Sequence, residues 1–122
     1  MMMNKSGLKP LGRAVLCEPY EPEFNRSVIA IPDHVRARAL MEEMRAIVVE
    51  VGPNCWPDEP ARAVAGDKVL ISKYAGAIVK GTADGNLYRI CNGDDIFCGI
   101  EAGDLADAII ENPLKKQIGA KS

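Results

Sequence analysis

Histidine and aromatic side chains are scarce in this chain. Its 122 residues hold one histidine, one tryptophan, three tyrosines and two phenylalanines. The single histidine, His34, has no serine or cysteine nucleophile signature beside it, so the usual triad chemistries have no foothold. The four cysteines (Cys17, Cys55, Cys91, Cys98) contain no C-x-x-C pair, and His34 does not complete a zinc-ligand spacing. They are expected as reduced thiols, three of them small strand residues, and no metal is expected. Neither phosphate-cradling glycine pattern, G-x-x-x-x-G-K-[ST] or G-x-G-x-x-G, is present. The chain is therefore expected to be no enzyme. Asp94-Asp95 fits a turn, where aspartate is favoured for backbone reasons alone.

Other absences narrow the partners. No apolar run reaches the roughly 18 residues of a membrane span. The start, MMMNKSGLKP, lacks the apolar core of a signal peptide, so a cytoplasmic location is expected. A net charge of −2 gives no bulk attraction to nucleic acid. A β-barrel binding single strands would need basic residues interleaved with aromatics, and Arg36 and Arg38 alone do not supply them.

What is present is a series of short strands. Arg13–Cys17 is apolar and bounded by prolines. Met44–Val51 is β-branched and stopped by Gly52-Pro53. Lys68–Ile71, Ala77–Lys80, Leu87–Cys91 and Asp95–Ile100 follow, with turns at 66–67, 72–76, 83–86 and 92–94. Strands this short, with turns every eight to twelve residues, predict an all-β barrel or sandwich. Residues 53–65 hold three prolines and are expected as a loop or loose hairpin. Val35–Val51 has two readings, one amphipathic helix or a helical turn at Ala39–Glu43 leading into a strand. The tail 102–122 carries a short helical stripe at Leu105, Ala108 and Ile109.

Glu21–Ala39 is the odd stretch. A polar arm with proline turns leads to an apolar knot, Val28-Ile29-Ala30-Ile31, which Pro32 stops at once. Ordered loops of such length without structure of their own are uncommon and usually functional. The knot is either a buried strand or a hydrophobic docking plug on a mobile loop spanning about 19–39.

In order, Leu8–Leu11 with Arg13–Leu16, Ser27–Pro32, Ala46–Gly52, Gly66–Ile71, Ser72–Gly76 and Gly93–Ile96 resemble the segments of the GroES-type co-chaperonins. The resemblance covers about Leu8–Glu101. It implies a small irregular β-barrel over 1–101, a mobile loop and a roof hairpin at 53–65; the C-terminal helical extension at 102–122 is read from its own stripe and lies outside the resemblance. It also implies a lid that binds a chaperonin ring through Val28, Ile29, Ala30 and Ile31, encloses non-native substrate proteins, and binds no cofactor. ATP is then bound by the chaperonin partner. The copies would form a homo-oligomer, a heptamer, by pairing the first and last strands of neighbours through Arg13, Val15, Cys17, Ile96, Cys98 and Ile100. Trp56 would sit at the roof and Tyr74 by the cavity, with a core position for Trp56 as the rival reading.

The chain departs from the family pattern in five places. Ser27-Val28 replaces glycines, Ala30 is small, the arm after Pro32 is longer, Gly12 stands where an acidic residue often precedes the first-strand arginine, and the extension after Glu101 is atypical. These mark a divergent member; a viral source is one reading, which would make the compartment the host cytoplasm. The alternative function is a ring-forming structural or virion-assembly barrel with no chaperonin partner.

Overall fold

The computed structural model describes residues 4–21 and 32–108. Val28–Ile31 and the tail past Ala108 lie outside the described residues. In chain order the elements are β1 (Ala14–Pro19), α1 (Asp33–Glu42), β2 (Arg45–Val51), β3 (Lys68–Ile71), β4 (Ala77–Lys80), β5 (Leu87–Asn92) and β6 (Ile96–Gly99). Single 3-10 turns follow β5 at Gly93–Asp95 and close the described chain at Leu105–Asp107.

The strands form one six-stranded antiparallel sheet in the order β4-β5-β1-β2-β3-β6. The all-β expectation holds, but the sheet is not closed. Its two end strands are only four residues long. β6 also carries an irregularity: Ile71 faces Ile96 and Leu70 faces Cys98, leaving Phe97 as the extra residue. Such a bulge bends the strand and interrupts its ladder.

β1 is apolar without alternation because both of its faces are covered. Val15 and Cys17 join Ala46, Val48, Val69, Ile71, Cys91 and Ile96 in the main core. Leu16, on the opposite face, packs with Val49 and Tyr88. Each large side chain so buried stabilises the fold by about 1.5–3 kcal/mol relative to exposure. A bulge between Leu16 and Cys17, where the facing residues jump from Glu50 to Val48, resets the parity of β2. Ala46 and Val48 face the main core before it, and Val51 packs against that core after it.

Several expectations need correction. β1 is no free edge, since it pairs with β2 on one side and β5 on the other. The loop does not run from Pro19 to Ala39: β1 includes Pro19, and α1 begins at Asp33. Neither rival reading of Val35–Val51 is complete, because the helix stops at Glu42 and β2 follows almost at once. Residues 53–65 contain turns and bends with no strand, so of the two readings, loop or loose hairpin, the loop is the one formed. The helical extension, within the described residues, is one turn pinned by buried Leu105.

Candidate functional site

The docking residues expected at Val28, Ile29, Ala30 and Ile31 fall outside the described residues. The two chain segments that flank them are described, and both are tied down. On the incoming side, the Tyr20 amide donates to the Arg45 carbonyl at 3.0 Å. The Arg45 guanidinium lies 4.3 Å from the Tyr20 ring centroid, a cation–π distance. Arg45 is itself held by Glu43, its Nε and Nη2 donating to the two carboxylate oxygens at 2.7 and 2.8 Å. Burial pushes the Glu43 carboxyl up, but the hydrogen bonds from Arg45 outweigh it and leave Glu43 below its ordinary value.

On the outgoing side stands α1. Pro32, with an extended ψ of 145°, enters the helix, and Asp33 puts a carboxylate in the first turn, where the helix dipole favours it. Asp33 accepts from Lys80 Nζ of β4 at 2.9 Å, which lowers its pKa. Arg36 donates to Glu21 through Nε and Nη2 at 3.2 and 2.7 Å. That pair joins Glu21, the last described residue before residue 22, to the first turns of the helix that follows residue 31.

The far end of α1 needs help. Its last turn has no basic residue of its own, and of its final carbonyls Leu40 accepts from the Glu43 cap amide at 3.1 Å and Met41 from the distant Tyr74 amide at 3.0 Å. The help comes from Arg89 on β5, which has no exposed surface. Its Nη1 donates to the carbonyls of Leu40 (3.1 Å) and Glu43 (2.7 Å), and its Nη2 to those of Met41 (3.1 Å) and Ser72 (3.5 Å). Its Nε donates to Ala75 at 2.8 Å. Five main-chain oxygens thus surround one guanidinium, matching its donor capacity. Burial pulls its pKa below the ordinary arginine value, yet the dipole of the helix C-terminus favours a cation there. The chain sequence placed no role on Arg89. The signal was its parity: on β5 it shares a face with Cys91, a core residue.

The same clasp supports the turn that carries Tyr74. Tyr74 is 61% exposed with φ at 63°, a left-handed conformation uncommon for a bulky side chain. Its amide donates to the Met41 carbonyl at 3.0 Å, which holds it in place.

Trp56 sits elsewhere than expected. It is 7% exposed and part of the main core, so its placement near the tip of a roof hairpin is corrected. The indole presses on Gly93, where an added Cβ would stand 2.6 Å from Trp56 Nε1. That Nε1 is buried without a hydrogen-bond partner among the described residues. The Arg62 guanidinium lies 5.9 Å from the ring. Beside it opens a cavity of ≈ 470 Å³ with mixed charge from Arg13, Asp58, Glu59 and Asp94.

The six expected interface residues divide. Arg13 and Cys98 are exposed and Ile100 is half-buried, its amide donating to Lys68 at 2.9 Å. Val15, Cys17 and Ile96 are core residues, at 0%, 0% and 2% exposure, and they are withdrawn as contact residues. The side chains that do project are Phe97 (53%) and Leu11 (70%). Regular alternation from buried Ile96 already points Phe97 outward; what the bulge changes is Cys98, which alternation would have placed inside. β6 is the end strand of the sheet, with only β3 beside it among the described residues.

Cys17 and Cys91 are buried and Cys98 is exposed, all free. The contact with Cys91 and burial both raise the Cys17 pKa, so it stays a neutral thiol. Among the described residues, no group of three or more His, Cys, Asp or Glu is placed to hold a metal ion. No described helix is long and apolar enough to cross a membrane.

An open antiparallel sheet with one polar helix ahead of β2 defines a small all-β protein. Comparison with known proteins narrows this class. The family described as Chaperonin 10 Kd subunit matches residues 7–100. The chain is 38% identical over 98 residues to the co-chaperonin GroES of Caldicellulosiruptor saccharolyticus, covering 77% of this chain and 97% of that protein. It is 37% identical over 104 residues to the co-chaperonin GroES of Methylacidiphilum infernorum, covering 81% and 99%. The Mycobacterium avium co-chaperonin GroES is 32% identical over 101 residues, covering 78% and 95%. This chain belongs to the chaperonin 10 family, that of the GroES-type co-chaperonins.

Proposed function

We propose that this protein is a co-chaperonin lid: several copies cap a chaperonin ring and enclose non-native protein beneath them. Its family membership carries that reading. The tethering of both flanks of residues 22–31 supports the finer part, in which Val28, Ile29, Ala30 and Ile31 dock into an apolar groove of the chaperonin. The chain has no catalytic activity and no cofactor of its own; the partner binds and hydrolyses ATP. Both act in the cytoplasm, or in a host cytoplasm if the source is a virus.

Physical magnitudes favour many weak contacts over one strong one. Burying Ile29 or Ile31 in a groove contributes on the order of 1.5–3 kcal/mol each. Fixing each residue of the loop costs about 1–2 kcal/mol, so a single loop binds weakly. A ring of seven copies raises the effective concentration of each further contact and gives a firm but releasable cap. Copies in the ring meet through the outer edge of β6, where Cys98 and Ile100 lie, which would cover an otherwise exposed ladder.

The test is native mass spectrometry of the protein with a bacterial chaperonin, with and without nucleotide. A ring-sized species that joins the chaperonin only with nucleotide is expected. A monomer in both conditions would refute the lid, and a ring that ignores the chaperonin would favour a structural or virion-assembly role. Ile31→Asp is expected to abolish binding while leaving fold and ring intact. If that variant fails to fold, Ile31 is a core residue and the docking plug is wrong.

A further inference from the structure

We infer that residues 56–62 are a latch on the outer edge of β6: they guard that edge in the lone subunit and swing away when a second copy adds a strand there. The inference rests on the ring contact proposed above and adds to it the segment that regulates it.

The chain around the latch sets its position. Gly52 and Asn54 donate their amides to the carbonyls of Ala14 and Gly12 at 2.8 and 2.9 Å, which ties the start of the loop to the lead-in of β1. Cys55 Sγ donates to the Ala14 carbonyl at 3.3 Å. Trp56 then enters the main core. Two turns follow, the Glu59 amide donating to the Trp56 carbonyl at 2.9 Å and the Arg62 amide to the Glu59 carbonyl at 3.0 Å. They bring Glu59 and Arg62 opposite β6. All four residues of β6 line a cavity of ≈ 340 Å³, and those two side chains form its other wall. No residue of β3 lines it, so it runs along the unpaired side of β6. A strand added to that edge would lie about 4.8 Å from β6. It would enter the cavity that the two charged side chains flank. Charges and a loop beside a free edge are a common defence against wrong partners.

The closed latch is strained. Trp56 has a φ of 49°, a left-handed conformation that is an outlier for so bulky a residue. Its Nε1 is buried without a partner among the described residues. Both penalties are relieved once the indole meets water. The cavity of ≈ 470 Å³ beside the ring gives it room to leave. Arg62 holds the ring only across 5.9 Å. Because Gly52, Asn54 and Cys55 are bonded to residues 12 and 14, the hinge falls at Trp56 itself, the strained residue.

Trp56 is the only tryptophan, so the full chain reports on its own latch. Native mass spectrometry over a dilution series defines lone subunit and ring, and indole emission and acrylamide quenching are read on the same samples. The ring should emit to the red of the subunit and be quenched more readily. Glu59→Ala/Arg62→Ala removes the guarding charges and leaves Trp56 and β6 in place. That variant should assemble at a protein concentration roughly 10-fold lower than the wild type, the effect of one modest interaction removed.

An indole that is unchanged or bluer in the ring would overturn the inference, because the ring then forms with the latch shut. So would a double variant that assembles at the wild-type concentration. If that variant does not fold, the wild-type emission decides alone. A chain that forms no ring at any concentration is a different failure: it removes the ring contact, and the latch with it.

Discussion

Replacing Gly93 by alanine should damage this protein through a single contact. The added Cβ would stand 2.6 Å from Trp56 Nε1, 3.1 Å from Trp56 Cε2 and 3.4 Å from the Arg13 carbonyl. The backbone itself permits alanine, because Gly93 is not among the glycines with positive φ. The whole cost therefore comes from moving an indole by close to an ångström inside a packed core. Overpacking of that size destabilises by about 1–3 kcal/mol. At roughly 4 °C per kcal/mol for a chain this size, the melting point should fall by about 4–12 °C. The assay has an internal reporter, since Trp56 is the only tryptophan. Its emission should shift to the red as the ring tilts toward the neighbouring cavity. Melting is followed by circular dichroism at fixed protein concentration, which keeps any assembly term constant. A double-mutant cycle with Trp56→Phe tests the cause. The shorter ring leaves room for the methyl group, so the double variant should be more stable than the two single losses add up to. Strict additivity, or wild-type melting and emission in the Gly93→Ala protein, would refute the contact as described.

Acid should loosen the incoming flank before the sheet. Arg45 holds Glu43 below its ordinary pKa, so this pair contributes stability above the unfolded glutamate value of about 4.3, lost as pH falls through the lower folded value. Hydrogen exchange at Tyr20 should therefore rise below about pH 4, and Glu43→Gln should abolish that pH dependence. The thiols should separate by burial. In the dissociated subunit Cys98 should react with an aromatic disulfide reagent, and ring formation through β6 should slow it, whereas Cys17 and Cys91 should react only on unfolding. Rapid native labelling of Cys17 would mean that β1 is not the covered strand described.

Much of the fold was legible in the sequence, and the misses have physical causes. β3 and β4 fall where their β-branched runs and flanking turns put them, because short strands between glycines have few other options. α1 was only half legible. It has no apolar stripe to read, and it is held by a lysine on β4 and an arginine on β5, both more than 40 residues away. β1 was read as an edge although Val15-Leu16-Cys17 has no polar alternation, the mark of a strand covered on both faces. Parity misleads in the last strand at Cys98, which the bulge leaves exposed beside Phe97 instead of inside with Ile96. Trp56 was left between core and roof because three prolines around it hide any period. Its partner is a glycine, which sequence pattern does not flag as a packing surface.

The clasp around Arg89 bears on how such a protein can vary. Each of its five acceptors is a main-chain oxygen, so the side chains at residues 40–43 and 72–75 are not what it recognises. Substitutions there can retune the surface around α1 while the attachment persists, provided the backbone path is kept. The anchorage of α1 and the character of its surface are thus written in different parts of the chain. The surface is free to drift, and the anchorage depends on one arginine.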